Sequence, residues 1–329
     1  MEVCLLLKKI ILFFSVSTLT LYSYVRFKEK RSFKSFLYEL VIRKMKMKEP
    51  YLSEANAKNA VNKTKHTTAG EFKGTDYKFT NSVHIKTVQN SKVYIVNAQP
   101  NPQQKVILYV HGGAWFKDPF KTHFEFVDTL ATELDAKVIM PIYPKTPHAT
   151  YQETLNLLEE IYKKMILNDD NTHQLIIMGD SAGGQISLSF AQYIKKLGLT
   201  QPSHIILISP ILDATLSNPE AYVYEKKDPM LATAGSKYII NLWAGDTPLT
   251  DWRLSPMFGD LEGLGHITVS IGTKEALYPD ALKFSNMLNS KNIAHDFLPG
   301  FNLYHVHTIL DIPERKQFLN NVKQIIKNK

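Results

Sequence analysis

Gly179-Asp180-Ser181-Ala182-Gly183 sets one hydroxyl among small residues, between an apolar run that ends at Met178 and a patterned stretch that begins at Gly184. A serine can attack an acyl carbonyl when three other groups are at hand: a base, an acid that orients the base, and N–H donors for the oxyanion that forms. The sequence holds candidates for each. His111-Gly112-Gly113-Ala114-Trp115 follows the apolar run "VILYV", and its paired glycines let the backbone approach a bound carbonyl. The N–H groups of Gly112, Gly113 and Ala182 are the candidate oxyanion donors. Glu275, just past "ITVSIGT", is the candidate orienting acid, with Asp280 as the alternative. Asp280 also suits the opening turn of a helix, where a carboxylate meets the positive end of the dipole. His305 and His307 are candidate bases, whereas His295 lies inside a strand-like run and reads as structural.

Other uses of these residues fit less well. A glycine-rich turn can cradle phosphate, but this one lacks the Gly-Lys-Ser/Thr ending and the Gly-x-Gly-x-x-Gly frame, and Asp180 would repel the anion. The His-x-His pair could bind a metal, yet no third ligand stands in a recognisable frame. Ser181 could simply cap a helix. What favours a nucleophile is the context, because a serine in a Gly-x-Ser-x-Gly turn between strand and helix is lifted clear of the sheet.

That context must come from regular elements. Strand candidates are "KVYIVNA" from Lys92, "KVILYVHG" from Lys105, "KVIMPIYP" from Lys137, "QLIIMGD" from Gln174, "HIILISPIL" from His204, "ITVSIGT" from Ile267 and "IAHDFLPG" from Ile293. Helical patterns lie between most of them, notably over 151–167 and 183–197. Continuous apolar strands alternating with helices predict an α/β fold with a mostly parallel sheet covered on both faces, and a site at the carboxyl ends of the strands. The gap 213–265 is too long for a crossover and reads as a cap inserted over the site. Residues 57–80 are polar with little periodicity and read as a linker or a loosely built entry segment.

Composition excludes some functions. With 329 residues, 44% of them hydrophobic, the chain can bury a full core. The net charge of +8 is local: residues 1–50 hold 11 Lys and Arg against 4 Asp and Glu, which leaves 28 against 27 for the rest. A nucleic-acid-binding body is therefore disfavoured. The single cysteine, Cys4, precludes an internal disulfide and a zinc framework. Sixteen uncharged residues, 10–25, sit between Lys8-Lys9 and a basic cluster that starts at Arg26. They are short for a spanning helix and carry no clean cleavage site; an export signal or retained anchor, an interfacial helix and a cap helix all remain open. Which side of a membrane such an anchor would face is also open, as is a cytoplasmic location.

Taken in order, "HGGAW", "GDSAGG", "GTKEALYPDA" and "PGFNLYHV" resemble the hormone-sensitive-lipase-like branch of the α/β-hydrolase superfamily, over roughly residue 92 to the C-terminus. The resemblance implies an eight-stranded, mostly parallel sheet with helices on both faces, a cap subdomain, and no metal or cofactor. It also implies a triad of Ser181, Glu275 and His305, with a glutamate where this branch commonly has aspartate. The organisation expected is an N-terminal targeting or anchor segment over 1–34, a linker and N-terminal cap region over 35–90, and a catalytic domain over 91–329 with the insert at 213–265. Trp115, Phe116 and Met230 are candidate pocket walls. The implied substrate is a small carboxylic ester of short to medium acyl length. An amidase, peptidase or membrane-tethered deacetylase of the same fold, and a non-catalytic binding module, are the alternatives. No nucleic-acid partner is expected, association with a membrane would run through the N-terminus, and the oligomeric state is not readable.

Overall fold

A computed structural model describes residues 18–166 and 175–328. Cys4, residues 10–17 of the uncharged N-terminal run, Leu167 and Gln174 lie outside the described residues. Eight strands form one sheet: β1 (Val83–Val88), β2 (Ser91–Val96), β3 (Lys105–Val110), β4 (Ala136–Pro141), β5 (Leu175–Asp180), β6 (His204–Ile208), β7 (His266–Gly272) and β8 (His295–Gly300). Their order is β1-β2-β4-β3-β5-β6-β7-β8. The β1–β2 and β2–β4 pairs are antiparallel, and every later pair is parallel.

Period-two burial explains the layering. In β3, Val106, Leu108 and Val110 belong to one core cluster, whereas Ile107 and Tyr109 belong to the other. The first cluster is closed by α4 (Tyr151–Ile161), α5 (Ala182–Lys196) and α8 (Tyr278–Ser290), which contribute Leu158, Ile161, Ile186, Phe190 and Phe284. The second is closed by α3 (Lys121–Leu134) and α9 (Pro313–Asn328) through Phe126, Val127, Leu130, Phe318 and Val322. Because β5 and β6 are covered on both faces, every residue in them is buried, and their sequences are continuous rather than alternating. The helix expected over 151–167 is α4 followed by a π-helical turn, Tyr162–Ile166.

Two segments depart from expectation. Strand β1 was not anticipated because its side chains are exposed or half-buried. Its ladder with β2 holds it, across a tight turn at Gln89 and Asn90, both at positive φ. Residues 57–80 do not begin as a linker: α2 (Glu54–Thr64) starts at Ser53, whose hydroxyl accepts the Asn56 N–H, and it buries Ala57 and Val61 one turn apart. Two inward residues on an otherwise polar helix leave almost no periodic signal. Helix α2 packs on α7 (Thr233–Ala244), which lies in the 213–265 insert with the short α6 (Ala221–Glu225). Before it, α1 (Phe33–Lys44) runs toward Lys48, whose ammonium meets the carbonyl oxygens of Glu225 and Asp228. The N-terminal helices and the insert thus form one roof.

Candidate active site

Ser181 occupies the junction of β5 and α5 at φ 54°, ψ −120°, a conformation that costs a non-glycine residue about 1–3 kcal/mol. The surroundings enforce it. A Cβ at Gly183 would strike the Val110 carbonyl oxygen, and one at Gly179 would strike the Gly183 carbonyl. The Ser181 N–H donates to the Ile208 carbonyl at 2.8 Å, which fastens the turn to the end of β6.

Three distant segments meet at this hydroxyl. His305 Nε2 lies 2.9 Å from Ser181 Oγ, and His305 Nδ1 lies 2.7 Å from Glu275 Oε2. All three side chains are buried, Glu275 completely. The second carboxylate oxygen, Oε1, accepts the Gly272 N–H at 2.5 Å and the Ser209 hydroxyl at 2.7 Å. Ser209 Oγ in turn accepts the Val306 N–H at 3.0 Å, and Val306 has φ 51°, an uncommon conformation for a β-branched residue. Ser209 therefore ties the acid loop to the histidine loop. No motif marks it; its position at the end of β6 was the available signal.

Electrostatics keep the imidazole basic. Burial by itself would lower the His305 pKa, but the hydrogen bond to Glu275 and the negative charges of Glu275, Asp228 and Asp180 raise it above the usual histidine value. Asp228, in the cap insert and fully buried, is a second residue that sequence motifs did not reveal. Its Oδ1 accepts the N–H groups of Met230 and Leu231, and its Oδ2 accepts that of Ala276, next to Glu275. Burial pushes the Asp228 carboxyl up to about 6, although the His305 charge and these N–H donors pull it the other way.

The His-Gly-Gly loop is held by Asp180. This buried carboxylate accepts Tyr109 Oη at 2.6 Å and the Gly112 N–H at 2.9 Å, and it faces His123 Nε2 at 3.3 Å. That contact corrects one expectation: the Gly112 N–H is spent on Asp180 and is not turned to the serine. Ala114 and Trp115, both at positive φ, carry the loop to the cavity beside Ser181. Trp115 stacks on Trp243 and donates its indole N–H to Gln185 Oε1 at 3.1 Å.

Other candidates lie apart from Ser181. Asp280 accepts Asn218 Nδ2 at 2.8 Å, His307 Nδ1 faces the Tyr304 carbonyl oxygen, and His295 Nε2 is 2.8 Å from Ser285 Oγ. Phe116 is not a pocket wall, because it is wholly buried in the core. Met230 packs against the opposite core cluster, and its neighbour Leu231 takes the wall position. The cavity at Ser181 measures ≈ 30 Å³ and is lined mainly by apolar side chains, among them Tyr51, Trp115, Ile211, Leu216, Leu231 and Ile240. Larger clefts of ≈ 460 and ≈ 350 Å³ touch none of Ser181, Glu275 and His305.

A mostly parallel eight-stranded sheet with a serine at the β5–α5 turn, hydrogen-bonded to a histidine and through it to an acid, is the arrangement of a serine hydrolase. The α/β hydrolase fold family matches residues 107–307, and the chain belongs to that family. It is similar to an esterase of Acinetobacter venetianus, 29% identical over 235 residues that cover 70% of this chain and 76% of that one. A Staphylococcus aureus structure, provisionally described as an esterase, superposes with a TM-score of 0.81 at 26% identity and covers 86% of this chain and 96% of the other. A hormone-sensitive lipase from a metagenome library shares the fold, with a TM-score of 0.73 at 17% identity over 89% of this chain and 98% of its own. These likenesses agree with the branch read from "HGGAW" and "GDSAGG".

Proposed function

We propose that the protein hydrolyses carboxylic esters with small acyl groups through an acyl-enzyme on Ser181. The observation that carries this reading is the continuous hydrogen-bonded line from Glu275 through His305 to Ser181 at the floor of a small apolar cavity. His305 Nε2 takes the hydroxyl proton as Ser181 Oγ attacks the carbonyl carbon. Glu275 holds the imidazole in the tautomer that leaves Nε2 free to accept, and it stabilises the imidazolium that forms. The N–H groups of Gly113, Ala114 and Ala182 receive the oxyanion, each donor being worth on the order of 3 kcal/mol. Collapse expels the alcohol, which takes its proton from His305. Water, deprotonated by His305, then attacks the acyl-serine and releases the acid.

The shape of the cavity narrows the substrate. It is narrow and mainly apolar, walled by Ile211, Leu216, Leu231 and Ile240, which suits a short acyl group better than a long one. The test is hydrolysis of p-nitrophenyl acetate, butyrate and octanoate by the full chain and by Ser181→Ala. Activity that declines from acetate to octanoate, and falls roughly a millionfold in the variant, supports the reading. Equal activity of parent and variant sinks the nucleophile, and a preference for octanoate sinks the shape argument.

A further inference from the structure

Helix α1 buries a carboxylate and leaves much of its apolar surface exposed. Ser35, Glu39 and Ile42 are buried, while Leu37, Leu40 and Val41 face solvent with 45%, 49% and 53% of their surface exposed, and Met45 just beyond is 67% exposed. The spacing i, i+3, i+4, i+8 puts these four side chains on one face of the helix, with the exposed Lys44, at i+7, among them. The arrangement is possible because the buried Glu39 carboxylate is satisfied by Arg31 at 2.5 Å, Arg43 at 2.7 Å and Lys274 at 2.9 Å. Upstream, Leu19 and Phe27 are exposed by 70% and 75%. Arg26, Lys28, Lys30, Lys44 and Lys46 are exposed and make no ion pair among the described residues. The nearby acids Glu29 and Glu39 are already bonded to Arg31. An apolar stripe with free cations beside it is the pattern of a helix that lies in a lipid interface.

We propose that residues 19–46 form a docking surface for an anionic bilayer, in which Leu37, Leu40, Val41 and Met45 enter the interface and the free cations meet lipid phosphates. This gives the N-terminal membrane reading a location and a mode: it lies on the surface, and among the described residues no helix is long and apolar enough to cross a membrane. Charge argues against a second copy as the occupant, since a two-fold contact would set the same cations against each other. The proposal does not depend on ester hydrolysis.

The test is flotation of the full chain with vesicles of phosphatidylcholine alone and of phosphatidylcholine mixed with phosphatidylglycerol. The parent floats with the anionic vesicles. Leu40→Glu with Val41→Glu lowers that partition on the order of 100-fold, and Lys44→Glu with Lys46→Glu lowers it more than about tenfold. Unchanged thermal melts show that the variants fold, and unchanged turnover of water-soluble p-nitrophenyl acetate shows that the active site is untouched. Parental flotation of the Leu40/Val41 variant overturns the proposal and assigns binding to residues 1–17. A parent that stays with the protein-only fraction also overturns it. So does a lipid-free dimer, detected by light scattering, that the Leu40/Val41 variant disperses, because a second copy then covers the stripe.

Discussion

At the residue scale, the proposed acid is the assignment most open to a direct test. Glu275 is 2.7 Å from His305, and Asp280 is bonded elsewhere, to Asn218. Glu275→Gln therefore lowers kcat by about 10⁴, the loss expected when the imidazole is held in the wrong tautomer, whereas Asp280→Asn leaves kcat within about twofold. Steady-state kinetics on one soluble ester separates the two, and the reverse order moves the triad acid to Asp280. The pH profile reports the base. His305 must be neutral to accept the serine proton, and its environment raises its pKa, so kcat/KM falls as pH falls through a value above that of an ordinary histidine. An acid limb below the usual histidine range contradicts this.

At the element scale, the loop before α7 and the loop after β7 are joined by one carboxylate. Asp228 accepts three backbone N–H groups, two from its own loop and one from Ala276 beside the acid. Asp228→Ala leaves them without their partner in a buried setting, which costs at least about 2 kcal/mol of stability by denaturant unfolding. Well above a pH of about 6, where Asp228 is ionised, the substitution also removes a negative charge that favours the His305 imidazolium. The acid limb of kcat/KM then shifts to lower pH. A variant that loses stability with an unmoved limb shows that Asp228 acts on the scaffold alone.

At the scale of the whole molecule, charge is segregated. Residues 1–50 carry seven of the eight net positive charges, and the body is close to neutral. Attraction between the N-terminal cations and an anionic surface is screened over about 8 Å at physiological salt. Vesicle binding by the parent therefore weakens as salt is raised, while hydrolysis of a neutral soluble ester does not change. Flotation across a salt series checks this, and salt-insensitive binding points to the apolar stripe acting without the cations. The arm bearing those cations also contacts the loops around the site, since Lys274 reaches Glu39 and the Arg43 guanidinium reaches the Lys227 carbonyl.

Much of this was readable from the chain alone. The glycine frame around Ser181, the largely buried strands β2 to β7, the paired glycines after β3 and the insert before β7 all leave local marks, because tight turns and covered strands restrict residue type at fixed spacings. Elements whose contacts are few or polar left none: β1 is held by backbone pairing, and α2 by two small inward side chains. Within the site, Ser209, Asp228 and the Gly112 contact to Asp180 were invisible, since each is a hydrogen bond between segments far apart in the chain. The direction in which α1 faces was equally hidden. Its hydrophobic pattern implies an apolar side without saying whether that side turns in or out. Only the tertiary structure decided it, by bringing Arg31, Arg43 and Lys274 around the Glu39 carboxylate so that its charge is buried with partners.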